Sequence, residues 1–285
     1  MAKRQIVSLQ HFAKITHKML RSDRDVNVGV AGFTGEGKST FTTKYCKEYA
    51  KLAGVHWGFE RMTWDRDEMM KWIDGEGDTK KGQLPEYSII VPDELFLMFY
   101  RRNWHDDGQI SAIATFNMCR DRHLLVAGNV PNFWNLDGAF QERIRFYVYV
   151  SQRGVAWVFQ QENNPFSKDQ WNALDNLKSF RKNRNPYSCP NFLFEVHFDD
   201  WDDQEKKDYL EIRNTKRVEA VKKAEATPKN ERLKEKIAFG NLANYLITKK
   251  GYSNRKISEI AAVISDKTVA AWSNVAKDKY SKFQT

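Results

Sequence analysis

The stretch "GFTGEGKST" (32–40) constrains this chain more than any other. Gly32, Gly37, Lys38 and Ser39 have the spacing of a loop that wraps a phosphate, and such a loop works only between a strand and a helix. Both flanks comply. "VNVGVAGF" (26–33) reads as a buried β-branched strand, and "STFTTKYCKEYAKLAG" reads as a helix ended by Gly54. The glycines, Gly32, Gly35 and Gly37, let the backbone turn so that successive N–H groups point at an anion near the positive end of the helix. Thr34, Glu36 and Thr40 complete the candidate cradle. Lys38 would neutralise the β- and γ-phosphates of ATP, and the Ser39 hydroxyl would hold Mg²⁺. A glycine turn with a solvated lysine is the plainer reading, and it leaves the full spacing unexplained.

Phosphate chemistry needs a second piece, a carboxylate at the end of a neighbouring strand. "SIIVPDE" (88–94) supplies two. Asp93 suits a contact to Mg²⁺, and Glu94 suits polarising an attacking water. Pro92 removes one ladder N–H and is tolerable only at the end or edge of a strand.

Elsewhere strand and helix alternate. Leu9, Phe12, Ile15, Met19 and Leu20 share one face of a helix over 8–21. "VHWGFERMTW" is a candidate strand, and "DRDEMMKWID" a helix with Asp65 as N-cap. "ISAIATFNMCRDR" is helical and "HLLVAGNVP" a strand. "RFYVYVSQRGVAWVFQQ" makes two strands about a turn at Gly154. The alternation predicts a mostly parallel sheet with helices on both faces, edged by a hairpin. Past residue 165 the chain is polar up to the strand "NFLFEVHF". A charged helix follows, then a linker about Pro228, and a helical remainder from about residue 231.

The formal net charge of +9 points to a polyanionic partner such as nucleic acid. Cys46, Cys119 and Cys189 have no metal-ligand spacing and read as free thiols of a reducing compartment. No apolar run approaches a membrane span and the N-terminal stretch lacks an apolar signal region, so a cytoplasmic protein without membrane insertion is expected. Most of the nine tryptophans read as core, and Trp134, in the loop after Asn129, is the one to test for stacking on a base.

Residues 119–153, "CRDRHLLVAGNVPNFWNLDGAFQERIRFYVYVSQR", resemble the FtsK/HerA superfamily of DNA-pumping ATPases. The matching pieces are Arg120, His123, the strand Leu124–Ala127, Asn129, Pro131, the helix near "NLDGAF", and Arg143-Ile144-Arg145-Phe146. Asn129 stands where that family usually has glutamine. The resemblance implies an α/β P-loop NTPase of the additional-strand, catalytic-glutamate type, with Glu94, Lys38 and Asn129 catalytic. It implies a homo-oligomeric ring, usually a hexamer, with an arginine supplied in trans. Arg143 and Arg145 rank first for that role, as starting an edge strand, ahead of Arg120 and Arg122.

The expected domains are an ATPase domain over 1–228 and a small all-α domain over 229–285. In the latter, "KISEIAAVISDKTVAAW" is similar to a helix-turn-helix, with Ile257, Ile260, Ala261 and Ile264 inward and a break at Ser265-Asp266. Lys267, Thr268, Ala271, Ser273 and Asn274 would face a groove, with Lys277 and Lys279 near phosphates. A helical bundle that packs on a partner protein is the alternative. The function expected is an ATP-driven motor that translocates or packages duplex DNA, as in viruses or mobile elements. The alternative is a slowly hydrolysing, DNA-bound switch.

Overall fold

The computed structural model describes residues 5–24, 26–76, 80–103, 106–162, 169–261 and 269, with backbone alone at 120, 220, 221, 223–238, 260 and 261. Two compact units are present, Met1–Val218 and Glu219–Thr285.

The first unit is α/β. Its strands are β1 (Ile6–Ser8), β2 (Val26–Gly32), β3 (Met62–Thr63), β4 (Ile89–Pro92), β5 (Leu125–Val130), β6 (Ile144–Gln152), β7 (Val155–Gln160) and β8 (Phe192–His197). Its helices are α1 (Leu9–Arg21), α2 (Lys38–Ala53), α3 (Arg66–Asp74), α4 (Leu95–Met98), α5 (Asp107–Met118), α6 (Gly138–Gln141), α7 (Ala173–Asn183) and the first part of α8 (Asp203–Lys250). They surround one mixed sheet of eight strands in the order β1-β8-β7-β6-β2-β5-β4-β3. β2 pairs in parallel with β5 on one side and β6 on the other, while β6, β7 and β8 run antiparallel in turn.

Two expectations need correcting. The β6–β7 hairpin does not edge the sheet, because β8 and β1 extend it further. "NFLFEVHF" is apolar enough to be buried, which places it inside the sheet rather than apart from it. "VHWGFERMTW" is mostly irregular, a 3₁₀ turn at Phe59–Arg61 followed by the two-residue β3.

Alternation along β6 sorts the core into two layers. Phe146 meets the edge of Phe12 on α1, which also stacks on Tyr45 of α2 at 4.7 Å. The next residue, Tyr147, joins the opposite cluster, stacked on Phe133 at 4.4 Å. That cluster also holds Phe99, Phe116 and Phe140, with Phe99 and Phe140 stacked at 4.1 Å. Pro92 ends β4, as its missing N–H requires.

α8 begins with a reciprocal cap. The Glu205 N–H donates to Asp202 Oδ1 at 2.8 Å, and the Asp202 N–H donates to Glu205 Oε2 at 3.1 Å. The same Glu205 carboxylate accepts Lys44 Nζ at 2.6 Å and Lys47 Nζ at 2.8 Å from α2. α8 then continues through Pro228, where the sequence pattern places a linker. An interior proline costs roughly 3 kcal/mol relative to alanine, and the nearby Glu225, Ala226, Lys229 and Glu231 are good helix formers.

The second unit comprises the rest of α8 and α9 (Asn254–Ala261). Gly251, at φ 66°, ends α8 in a left-handed cap, with the Tyr252 N–H donating back to Leu246 O at 3.1 Å. Ala243, Ile257 and Val269 form a small buried cluster with Phe239, Leu246, Ile247 and Tyr252 packed against it. The expected inward position of Ile257 is therefore met. Ile264, the break at Ser265-Asp266, and Lys267, Thr268, Ala271, Ser273, Asn274, Lys277 and Lys279 lie outside the described residues, as do the side chains of Ile260 and Ala261. No described helix is long and apolar enough to cross a membrane.

The Glu205 clamp makes a pH prediction. Burial raises the Glu205 carboxyl, but hydrogen bonds from Lys44, Lys47 and the Asp202 N–H outweigh it and bring it down to about 2. A depressed carboxylate contributes stability that is full above its unfolded value near 4.5 and is lost as pH falls towards 2. Urea midpoints measured from about pH 6 to about pH 2 should therefore fall through that window in the native chain. The Glu205→Gln chain should start lower and lose less; identical pH profiles would refute the clamp.

Candidate functional site

β2, β4 and β5 run parallel, so their C-terminal ends open on the same side of the sheet. The glycine loop leaves β2 there and enters α2. Gly32 sits so close to β6 that a Cβ would lie 2.6 Å from the Val150 carbonyl oxygen. Gly35 and Gly37, at φ 92° and 94°, take the left-handed region that side-chain-bearing residues avoid. The Glu36 N–H closes the turn on Phe33 O at 3.3 Å. Lys38 Nζ donates to Gly32 O at 3.0 Å and Phe33 O at 3.1 Å, arching over the loop. Burial lowers its pKa against the opposing pull of Glu94, Asp93 and Glu36.

Asp93 is the hub of the site. It is 6% exposed and accepts from Ser39 Oγ at 2.8 Å, from Tyr209 OH at 2.8 Å and from Asn129 Nδ2. Thr42 Oγ1 donates to Asn129 Oδ1 at 2.7 Å, which fixes which end of the amide faces Asp93. Burial pushes the Asp93 carboxyl up, against those three hydrogen bonds. Glu94, half-buried beside it, is also raised, first by burial and then by the neighbouring Asp93 charge. Arg217 lies 3.7 Å from Glu94 Oε1.

These groups line one cavity of about 560 Å³, the size of a small-molecule site. The loop contributes Thr34, Gly35, Gly37, Lys38, Ser39 and Thr40, and the strand ends contribute Asp93, Glu94 and Asn129. Gly32 and Glu36 support the loop from outside the lining. The sequence-read loop and carboxylates thus converge in space.

The arginines do not converge on it. β6 starts level with Asn27, at the N-terminal end of β2, while the loop leaves at Gly32, level with Val150. About five residues of strand separate the two ends, roughly 16 Å. Arg143 gives its carbonyl to Asn27 Nδ2 at 3.0 Å, and the half-buried Arg145 is lowered by burial and by Arg24. β6 is interior, so neither residue begins an edge strand. Arg122 donates to Leu84 O. The Arg120 side chain lies outside the described residues.

Instead, cations reach the cavity from places the sequence reading passed over. Arg153, on the β6–β7 turn, donates to Gly35 O at 3.4 Å and pairs with Asp200 at 3.2 Å. Lys206, Tyr209 and Arg213 arrive from the first turns of α8. The Tyr209 hydroxyl oxygen also lies 3.2 Å from Ser39 Oγ. A signal was present: in a helix otherwise read as a solvated charged face, an aromatic and an arginine four apart share one side.

Among the described residues there is no cluster of three or more His, Cys, Asp or Glu to cage a metal ion. A hydroxyl and a single carboxylate 2.8 Å apart fit another kind of ion. Mg²⁺ commonly takes one or two protein ligands and completes its shell with water and phosphate oxygens. The residues present therefore fit Mg²⁺ with a phosphate ligand.

No family model and no curated protein matches this chain. Among solved structures, a chain of the E. coli MS115-1 HORMA:CdnC:Trip13 complex is similar at 13% identity. The match covers 50% of this chain and 61% of that one, with a TM-score of 0.33. C. elegans PCH-2 is similar at 14% identity over 51% of this chain and 42% of its own, with a TM-score of 0.32. The matched region thus falls short of two thirds of either structure. These neighbours are not FtsK/HerA-type ATPases, and the resemblance drawn from residues 119–153 is corrected accordingly. A strand, a proline turn, a short helix and a further strand arise in any chain that alternates β and α. The ring and the trans arginine, expected only through that resemblance, are not carried forward.

Tyr209→Phe tests the hub. It removes one donor from a buried carboxylate, and hydrogen bonds to charged groups are worth about 1.5–3 kcal/mol. Urea unfolding should show a loss of that order with an unchanged m-value; a loss under about 0.5 kcal/mol would mean that Tyr209 does not hold Asp93.

Proposed function

We propose that this chain binds ATP with Mg²⁺ at the glycine loop and hydrolyses it. The observation that carries the reading is the Ser39–Asp93 contact at 2.8 Å, set between Lys38 and Glu94 in one cavity. Sheet order supports the finer class, a P-loop NTPase of the additional-strand type. β5 lies between β2, which carries the loop, and β4, which ends at Asp93 and Glu94.

In this reading the loop N–H groups and the N-terminus of α2 receive the phosphates. Lys38 leaves its two carbonyls to meet the β- and γ-oxygens. Ser39 and Asp93 hold Mg²⁺, which when bound offsets phosphate charge. Glu94 orients a water and accepts its proton, and the raised pKa makes it a better acceptor than an exposed glutamate. Asn129, clamped by Thr42, keeps Asp93 in place. Arg213 makes no ion pair or hydrogen bond through its side chain among the described residues, and it lines the cavity beside both carboxylates. It is the cation to meet charge that develops on the transferred phosphoryl group, and it acts within the same chain.

The +9 charge makes duplex DNA the macromolecular partner to assay. A DNA motor turns over faster when duplex is added, whereas an ATP-timed switch stays slow.

Phosphate release with Mg²⁺-ATP, alongside equilibrium nucleotide binding, tests the reading. Lys38→Ala should lose both hydrolysis and tight binding. Glu94→Gln should bind ATP as the native chain does while turnover falls about 10²-fold or more. Arg213→Ala should lower kcat more than it weakens ADP binding. Turnover should also fall on acidification at a pH above the ordinary glutamate range, as Glu94 takes up its proton. Unaltered hydrolysis in Lys38→Ala would sink the proposal.

A further inference from the structure

A second cavity, of about 400 Å³, lies away from the glycine loop. Its walls are rings: Trp134, Tyr147, Tyr149, Trp157, Trp171 and Phe180. Trp134 is 42% exposed, Tyr149 and Trp157 are tilted together at 5.7 Å, and Trp157 and Phe180 are 6.3 Å apart. Trp171 is 6% exposed, and its indole N–H, although buried, has no hydrogen-bond partner.

α7 forms one side of this cavity and buries none of its own residues. Leu177 and Phe180 line it, Arg181 stands one turn beyond Leu177 on the same stripe, and Arg184 follows at the left-handed C-cap of the helix. Both arginines are exposed, and neither side chain has an ion-pair or hydrogen-bond partner among the described residues. The one described acidic side chain on α7, Asp175, pairs with Lys178.

We propose that this cavity is a binding platform for single-stranded nucleic acid, with unpaired bases stacking on Trp134 and the rings behind it. The chemistry matches on two counts. Flat faces suit bases, which stack on aromatic side chains whatever their identity. Arg181 and Arg184 suit the phosphates that follow the base, in a chain with a net charge of +9. Single strands are specified because duplex bases already stack on one another and cannot enter without being flipped out. The platform is independent of the ATP reading and uses none of its residues.

Fluorescence anisotropy of the full chain with labelled oligo-dT and oligo-U of about 20 nucleotides, across a salt series, tests it. At least one single strand should bind more tightly than a duplex of equal length. Trp134→Ala should weaken that binding about tenfold, and Trp134→Phe should restore most of it. Arg181→Glu with Arg184→Glu should weaken it further and reduce the slope of log affinity against log salt by about one unit. Circular dichroism of each variant checks that folding is retained, and Trp134 is exposed enough to be replaced without opening the core. Duplex bound as tightly as single strand would overturn the proposal, as would folded Trp134→Ala and double-arginine variants with native affinity. The latter result would also leave the ring-lined face to a protein partner.

Discussion

Everything at the glycine loop depends on one buried carboxylate. Asp93 gathers hydrogen bonds from three separate parts of the chain: Ser39 at the start of α2, Asn129 at the end of β5, and Tyr209 on α8. Removing a charge from water costs several kcal/mol unless it is well partnered. The three donors offset part of that cost, and in doing so they fix the relative positions of the loop, the central strands and the helix above them. Lys38 and Glu94 take their places around this arrangement. The same burial that makes Asp93 expensive raises Glu94 beside it, so the structural hub and the candidate proton acceptor are tuned by one environment.

The sequence was most informative where chemistry and backbone geometry demand the same residue. Only glycine serves at Gly35 and Gly37, and only a strand before and a helix after make that loop useful, so both were legible together. Pro92 announced the end of β4 because it lacks a donor. Asp65 announced α3 by capping Asp67 and Glu68 N–H groups. The eight-strand order was not legible, because β8 and β1 complete the sheet through pairing partners far away in sequence. Nor was the helix through Pro228, where the local breaker chemistry reads as an end to the helix.

The site was only half legible for a related reason. Residues contributed in sequence order by loop and strand end carry their own signature, but α8 arrives more than a hundred residues after Asp93. A tyrosine among charged residues looks like a surface residue until the helix is placed. The arginines failed in the opposite way. Arg143 and Arg145 stand at the start of a strand in a familiar pattern, yet parallel register with β2 sends that end of β6 to the far side of the sheet. Pattern gave the neighbours along the chain, and register decided which end of the sheet they occupied.

One consequence concerns the first turn of α8. Glu205 closes the helix's own cap and also receives two lysines from α2. Fraying of that turn and release from α2 are therefore a single cooperative event rather than two. Tyr209 lies one turn further along and bonds to Asp93. Its grip on the site survives only while that turn is wound. Protection of the Lys206 and Tyr209 amides from hydrogen exchange thus reports the integrity of a carboxylate hub that neither amide touches, and the helix end acts as a latch on the interior.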